Sequence, residues 1–297
     1  VIARRARIAV CYFFALLGIV SGVWAARIPT IKQSLQLSDG RLSLVLLAVA
    51  VGLVTGMQFA GRLTDRIGSA RVLVAAGAAC GLALIPAGFA PDLAVLIVTL
   101  FAWGLLNASL DVSMNTHAVE VERVYGRPLM SSFHGMYSAG GLLGAAAGAL
   151  TAWLEVSPGI TFALVTVPLA ALAVLARSAL LPSVPARREE HRARRVRWHG
   201  RVVFMGAMAF AGLLGEGSAG DWSAVYLHED LGAATGLAAL AFAAFSVAMT
   251  AGRFAGDRLA LRFGPVALVR WSGVGGVLAP ASAGGVTHGP VPADALY

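Results

Sequence analysis

The chain has 297 residues, of which 58% are hydrophobic and only 13% charged, and its mean hydropathy is +0.77. A soluble domain is about 45–50% apolar and about 25% charged, so a water-soluble globular protein is excluded: no core of this size hides that much apolar surface behind a polar exterior. The formal charge of +8 does not point to nucleic acid, because the basic residues lie between apolar runs, where they report membrane orientation.

A bilayer crossing needs about 20 apolar residues. Nine stretches qualify, at about 8–26, 42–60, 72–90, 93–117, 129–152, 159–181, 202–227, 233–252 and 265–283. The first is too long for the apolar region of a signal peptide and reads as a membrane helix, with Trp24 and Arg27 near its far end. Breakers and charges separate the rest: Arg27-Ile28-Pro29, the Gly61 to Arg71 loop, Pro91-Asp92, Glu120 to Pro128, Pro158, the 182–201 segment and His228-Glu229-Asp230. Cys11 and Cys80 both lie inside apolar runs, with no disulfide framework or metal spacing.

With the N-terminus inside, nineteen arginines fall on the cytoplasmic side and three basic residues (Arg27, Lys32, Arg41) on the other. This bias predicts an N-in, multi-pass protein. One lysine among 23 basic residues suggests a GC-rich bacterial genome and hence a bacterial inner membrane. Residues 182–201 carry seven arginines against Glu189 and Glu190. The segment reads as a cytoplasmic linker and orientation signal, with anionic lipid as an alternative ligand. The organisation expected is 1–181, a six-helix bundle; 182–201, the linker; and 202–297, an incomplete bundle of about three helices plus a tail.

Gly61-Arg62-Leu63-Thr64-Asp65-Arg66-Ile67-Gly68, with Arg71, follows the second span. Gly252-Arg253-Phe254-Ala255-Gly256-Asp257-Arg258 follows the eighth. Both copies sit on the same predicted side after the second span of their half, so the halves read as parallel repeats. This loop resembles the G-x-x-x-D-R-x-G-x-x-[RK] loop of the major facilitator superfamily. The run from Leu110 to Glu122, with Ser131-Ser132-Phe133-His134-Gly135, is similar to the fucose-permease-type and rhizopine-transporter-like branch. The resemblance implies an all-α membrane fold of two six-helix bundles, here shortened to about nine spans by a fragment, a frame change or an early stop. It also implies that Gly61, Asp65, Arg66, Gly68, Arg71, Asp257 and Arg258 form a gate that latches one conformation. The residues alone also fit a static turn, with glycines for close approach and an acid against helix amides or a neighbouring arginine.

Costly polar groups inside apolar spans mark a pathway. Asn107, Asp111 and Asn115 are spaced i, i+4, i+8 and share one helix face. They suit a hydroxylated solute, with Asp111 able to take a proton; hydrogen bonding between helices is the alternative. Ser131, His134 and Ser138 share a face of the fifth span, where His134 is either a titrating group or a helix-to-helix tie; His117 is a weaker example. Gly140, Gly144 and Gly148 predict close helix packing. Ala149 follows the last of these, where efflux members of the family carry proline, which argues against drug efflux. The glycine-rich seventh span brings Glu216, Asp221 and Trp222 as candidates for binding solute or ion, Trp222 by stacking, and Tyr226 as part of an aromatic belt. Gln58 is secondary.

No phosphate-cradling loop, zinc-protease helix or nucleophile elbow is present, so neither an enzyme nor a cofactor or metal is expected. The reading is a monomeric secondary transporter of a small sugar-like or polyol-like solute in the lipid bilayer, driven by protons or by the solute's own gradient. Alternatives are a non-transporting membrane sensor, a truncated inactive carrier and a membrane-embedded lipid enzyme using Asp111 and His134.

Overall fold

The computed structural model describes residues 2–182, 200–225 and 235–286, with side chains described outside 217–243 and 276–286. Contacts divide the chain into two compact units, Val1–His191 and Arg192–Tyr297. The regular structure described is helical throughout: α1 (Ile2–Ser34), α2 (Asp39–Ile67), α3 (Ser69–Leu84), α4 (Leu93–Tyr125), α5 (Met130–Trp153) and α6 (Pro158–Ala176) in the first unit, and α7 (Gly200–Val225), α8 (Thr235–Phe263) and α9 (Pro265–Val286) in the second. Short 3-10 turns follow α3 (Pro86–Phe89) and α6 (Arg177–Ala179). Five helices among the described residues (α1, α2, α3 with its 3-10 turn, α4, and α6 with its own) are long and apolar enough to cross a membrane.

The helices outrun their apolar stretches for a simple reason. At 1.5 Å per residue, the 33 residues of α1 and of α4 span about 50 Å, whereas the hydrocarbon core is about 30 Å thick. Thus α4 continues past His117 to Tyr125, where Gly126 ends it in the left-handed conformation (φ 73°). The Arg27-Ile28-Pro29 break does not end α1, which carries Pro29 inside it. Proline removes one backbone hydrogen bond, a loss that membrane helices tolerate. Nor is the Gly61 to Arg71 stretch a loop. Helix α2 runs through Asp65 and Arg66 to Ile67, α3 starts at Ser69, and Gly68 alone (φ 91°) makes the turn, its N–H donating to the Thr64 carbonyl at 2.9 Å. Such a φ is cheap only for glycine.

Polar side chains define several helix starts. Asp92 accepts from the Val95 N–H at 2.9 Å. Glu122 Oε2 accepts from the Leu129 and Met130 N–H groups at 2.7 and 3.0 Å, so an anion from the end of α4 meets the electropositive start of α5.

The first unit is zipped along two seams of small residues. In one, α1 lies on α5: a Cβ at Gly18 would strike the Tyr137 carbonyl oxygen, one at Gly144 the Ile19 carbonyl oxygen, and one at Gly148 would lie 2.7 Å from Ala26 Cβ. In the other, α2 lies on α4: a Cβ at Gly104 would sit 2.5 Å from the Val49 carbonyl oxygen, and one at Gly56 2.6 Å from that of Leu105. Lipid supplies no hydrophobic drive between helices, so close backbone packing holds them together. Between the seams, Phe13, Leu73, Leu100, Trp103, Met114 and Phe162 form part of one buried core. The Tyr12 hydroxyl donates to the Leu169 carbonyl and ties α1 to α6.

Candidate functional site

Helix α4 carries the polar stripe. Its apolar neighbours Leu100, Ala108, Leu110 and Met114 are buried, while Asn107, Asp111 and Asn115 are each half-buried. The Asn115 amide donates to the Asp111 backbone carbonyl at 2.9 Å and to its carboxylate Oδ1 at 3.1 Å. One turn of helix therefore joins a carboxylate to a neutral amide, an arrangement that accepts and donates hydrogen bonds along one face.

On α5, His134 is half-buried and meets Phe14 of α1 edge-on, ring centroids 5.1 Å apart. Ser138 Oγ donates to the His134 carbonyl at 3.3 Å. Toward the C-terminal end of α1, Arg27 is fully buried. Its Nη2 donates to the Val156 carbonyl at 2.5 Å, while Nε and Nη1 meet no hydrogen-bond partner among the described residues. Trp24, one turn away, packs against Trp103 and Phe162. Gln58 is exposed on α2.

The residues expected to form a gate in the first repeat surround one turn: Gly61, Asp65 and Arg66 on the last two turns of α2, Gly68 at the turn, and Arg71 on α3. Asp65, Arg66 and Arg71 are exposed. Arg71 Nη1 donates to the Ile67 carbonyl at 3.3 Å. In the second repeat Gly264 (φ 79°) makes the turn between α8 and α9, with its N–H on the Ala260 carbonyl at 3.0 Å. Asp65 precedes its turn glycine by three residues and Asp257 precedes Gly264 by seven. The second copy is thus set back by four residues, about one helical turn, and Asp257 is buried at 8% exposure. Arg258 beside it is exposed.

Glu216, in the second half of α7, is engaged by α8. Arg253 Nη2 donates to both of its carboxylate oxygens, at 2.8 and 2.9 Å. Both side chains are only partly buried. Asp221 and Trp222 fall on α7, but their side chains lie outside the described residues, as does Tyr226.

The sequence underrated one cluster. His117 is fully buried; its Nδ1 is 2.8 Å from Ser69 Oγ and 3.4 Å from Glu120 Oε2, Ser69 Oγ donates to Glu120 Oε1 at 3.1 Å, and the Leu181 N–H donates to His117 Nε2 at 3.2 Å. This ties the starts of α3 and of the post-α6 segment to α4. Its partners stand 48 and 64 positions away, and no local spacing reveals them.

Apolar helices too long for a soluble core, seamed by glycines and carrying a carboxylate–amide pair, define a polytopic helical membrane protein. The family comparison narrows this: the Major Facilitator Superfamily matches residues 8–293. The chain is 35% identical over 266 residues to an uncharacterized transporter, y4wD, of Sinorhizobium fredii, covering 89% of this chain and 70% of that protein. It is 34% identical over 259 residues to an uncharacterized MFS-type transporter of Yersinia pestis, covering 87% and 66%. It is 29% identical over 268 residues to the membrane protein MosC of Rhizobium meliloti, covering 89% and 64%. The chain belongs to the major facilitator superfamily, and it spans about two thirds of the length of these relatives.

Proposed function

We propose that the protein is a secondary transporter of a small hydroxylated solute, sugar-like or polyol-like, and that Asp111 carries the coupled proton. The observation behind this reading is the Asn107, Asp111 and Asn115 stripe on α4, with Asp111 and Asn115 hydrogen-bonded to each other. An ionisable group within a membrane helix is costly and ordinarily faces a protein-lined or wet cavity. Flanking amides suit hydroxyl groups, which both donate and accept.

Of the two acids considered for coupling, Asp111 is the better proton carrier. Glu216 is held by the guanidinium of Arg253 through both carboxylate oxygens, a charge-assisted pair that already occupies the acid. Asp111 has only a neutral amide on its carboxylate among the described contacts. Glu216 and Arg253 then serve as an α7–α8 tie that solute or conformational change can exchange. The two turn clusters around Gly68 and Gly264 act as the gate. Arginine placement supports an N-in orientation in a bacterial inner membrane, and the reading requires no partner subunit, cofactor or metal.

Cysteine accessibility tests the pathway. In a background with Cys11 and Cys80 replaced, Asn107→Cys and Asn115→Cys should react with a membrane-impermeant maleimide, and transported solute should protect them. Leu143→Cys, on an exposed apolar face of α5 (64% exposed), should resist the reagent. Equal resistance at all three positions would remove the stripe from the pathway.

A further inference from the structure

A cavity of about 620 Å³ opens beside the end of α6, lined by Ala70, Arg71, Val74 and Ala75 of α3 and by Arg177, Leu180, Leu181 and Pro182. We propose that it binds an anionic phospholipid, with Arg71 and Arg177 holding the headgroup phosphate and the Val74–Ala75 wall meeting the first part of an acyl chain.

Three observations carry this. The charge is of one sign among the described residues: two arginines from different elements face the same space, and the described lining contains no carboxylate. A guanidinium fork matches phosphate oxygens in a bidentate manner. Arg71 spends one donor on the Ile67 carbonyl at 3.3 Å, which fixes its stem and leaves donors for a ligand.

The polarity is graded as a phospholipid requires. Arg71, Val74 and Ala75 are spaced i, i+3, i+4 and form one face of α3, so the charge at the helix start gives way within a turn to apolar surface running toward the bilayer interior. Free phosphate has no use for this wall.

The remaining wall is built rather than loose. Leu181 is pinned by its N–H to Nε2 of buried His117, so Leu180, Leu181 and Pro182 close the cavity in a fixed position. A second groove, between α1 and α6, offers a contrast. It is lined by Arg5, Ile8, Ala9, Tyr12, Leu172, Leu175, Ala176 and Ala179, with a volume of about 380 Å³ and a single cation. Two converging arginines set the α3 cavity apart as an anion-selective position.

The test titrates the delipidated full chain in detergent with dioctanoyl phosphatidylglycerol, with dioctanoyl phosphatidylcholine and with inorganic phosphate, and reads bound adducts by native mass spectrometry. The site requires phosphatidylglycerol to bind at least tenfold more tightly than phosphatidylcholine or phosphate. The Arg71→Gln/Arg177→Gln double variant should lose that preference, while Arg4→Gln/Arg123→Gln, which removes two exposed arginines elsewhere, should keep it. A photoactivatable phosphatidylglycerol reads the same site without any variant and should label peptides covering 69–76 or 175–182. Equal binding of phosphatidylcholine, equal binding of free phosphate, equal loss in both double variants, or labelling confined to other peptides would each overturn the proposal.

Discussion

The backbone N–H of Leu181 donates to Nε2 of His117 at 3.2 Å, which fixes the state of the imidazole: Nε2 must be an acceptor, so the ring proton sits on Nδ1, beside Ser69 Oγ at 2.8 Å. The Ser69 hydroxyl in turn donates to Glu120 Oε1 at 3.1 Å. The order of donors is then Leu181, His117, Ser69, Glu120, with every group satisfied. His117→Phe fills the space but strands the Leu181 N–H and removes the donor to Ser69. Leaving a buried group unpaired costs about 1–3 kcal/mol, and the part-buried Leu181 N–H falls at or below the low end of that range. Thermal unfolding in detergent should show a clear loss of stability for His117→Phe and a smaller one for Ser69→Ala. A variant as stable as the parent would show that the cluster contributes nothing.

The glycine seams predict a contrast between two glycines of similar helical context. A Cβ at Gly144 would collide with the Ile19 carbonyl, a backbone atom that cannot swing aside, whereas one at Gly61 meets nothing within 4 Å. Gly144→Ala should therefore destabilise by about 1–3 kcal/mol, as overpacking does. Gly61→Ala should be neutral or stabilising by up to about 1 kcal/mol, since alanine favours helix over glycine. If Gly61→Ala nevertheless slows transport at unchanged stability, the residue acts in the gate rather than in the static fold. Unfolding midpoints and uptake rates, read on the same preparations, separate the two.

Arg253 and Glu216 give a third test. Their side chains are only partly buried, so water screens the pair and its coupling should be about 0.5–1 kcal/mol. A double-mutant cycle with Glu216→Gln and Arg253→Gln measures it through unfolding. Additive losses would mean that the two groups stabilise α7 and α8 independently.

The parts of this architecture that are local in sequence were readable from it. Asn107, Asp111 and Asn115 declare one helix face by spacing alone, and Gly140, Gly144 and Gly148 declare a close-packed one. The partner glycines Gly18 and Gly22 show the same i, i+4 spacing, but a close approach is a property of two helices, and neither spacing says which helix is the partner. In sequence Arg253 is a cytoplasmic-side charge and a member of the second loop copy, since nothing nearby announces a carboxylate 37 positions earlier. Helix ends were misjudged at α1, α2 and α4 because apolarity reports where hydrocarbon stops, while these helices continue into the interface. Arg27-Ile28-Pro29 reads as a break between spans because proline removes a helix hydrogen bond, yet α1 carries Pro29 inside it, a loss that membrane helices accommodate.

The central claim is that Asp111 couples proton movement to solute movement along α4. Gradient-driven uptake of sugars and polyols into proteoliposomes, compared between the parent and Asp111→Asn, tests it most directly. The account predicts that an inward-directed proton gradient drives accumulation by the parent, and that Asp111→Asn loses accumulation while still exchanging solute down its own gradient. Undiminished proton-driven accumulation by Asp111→Asn would contradict it.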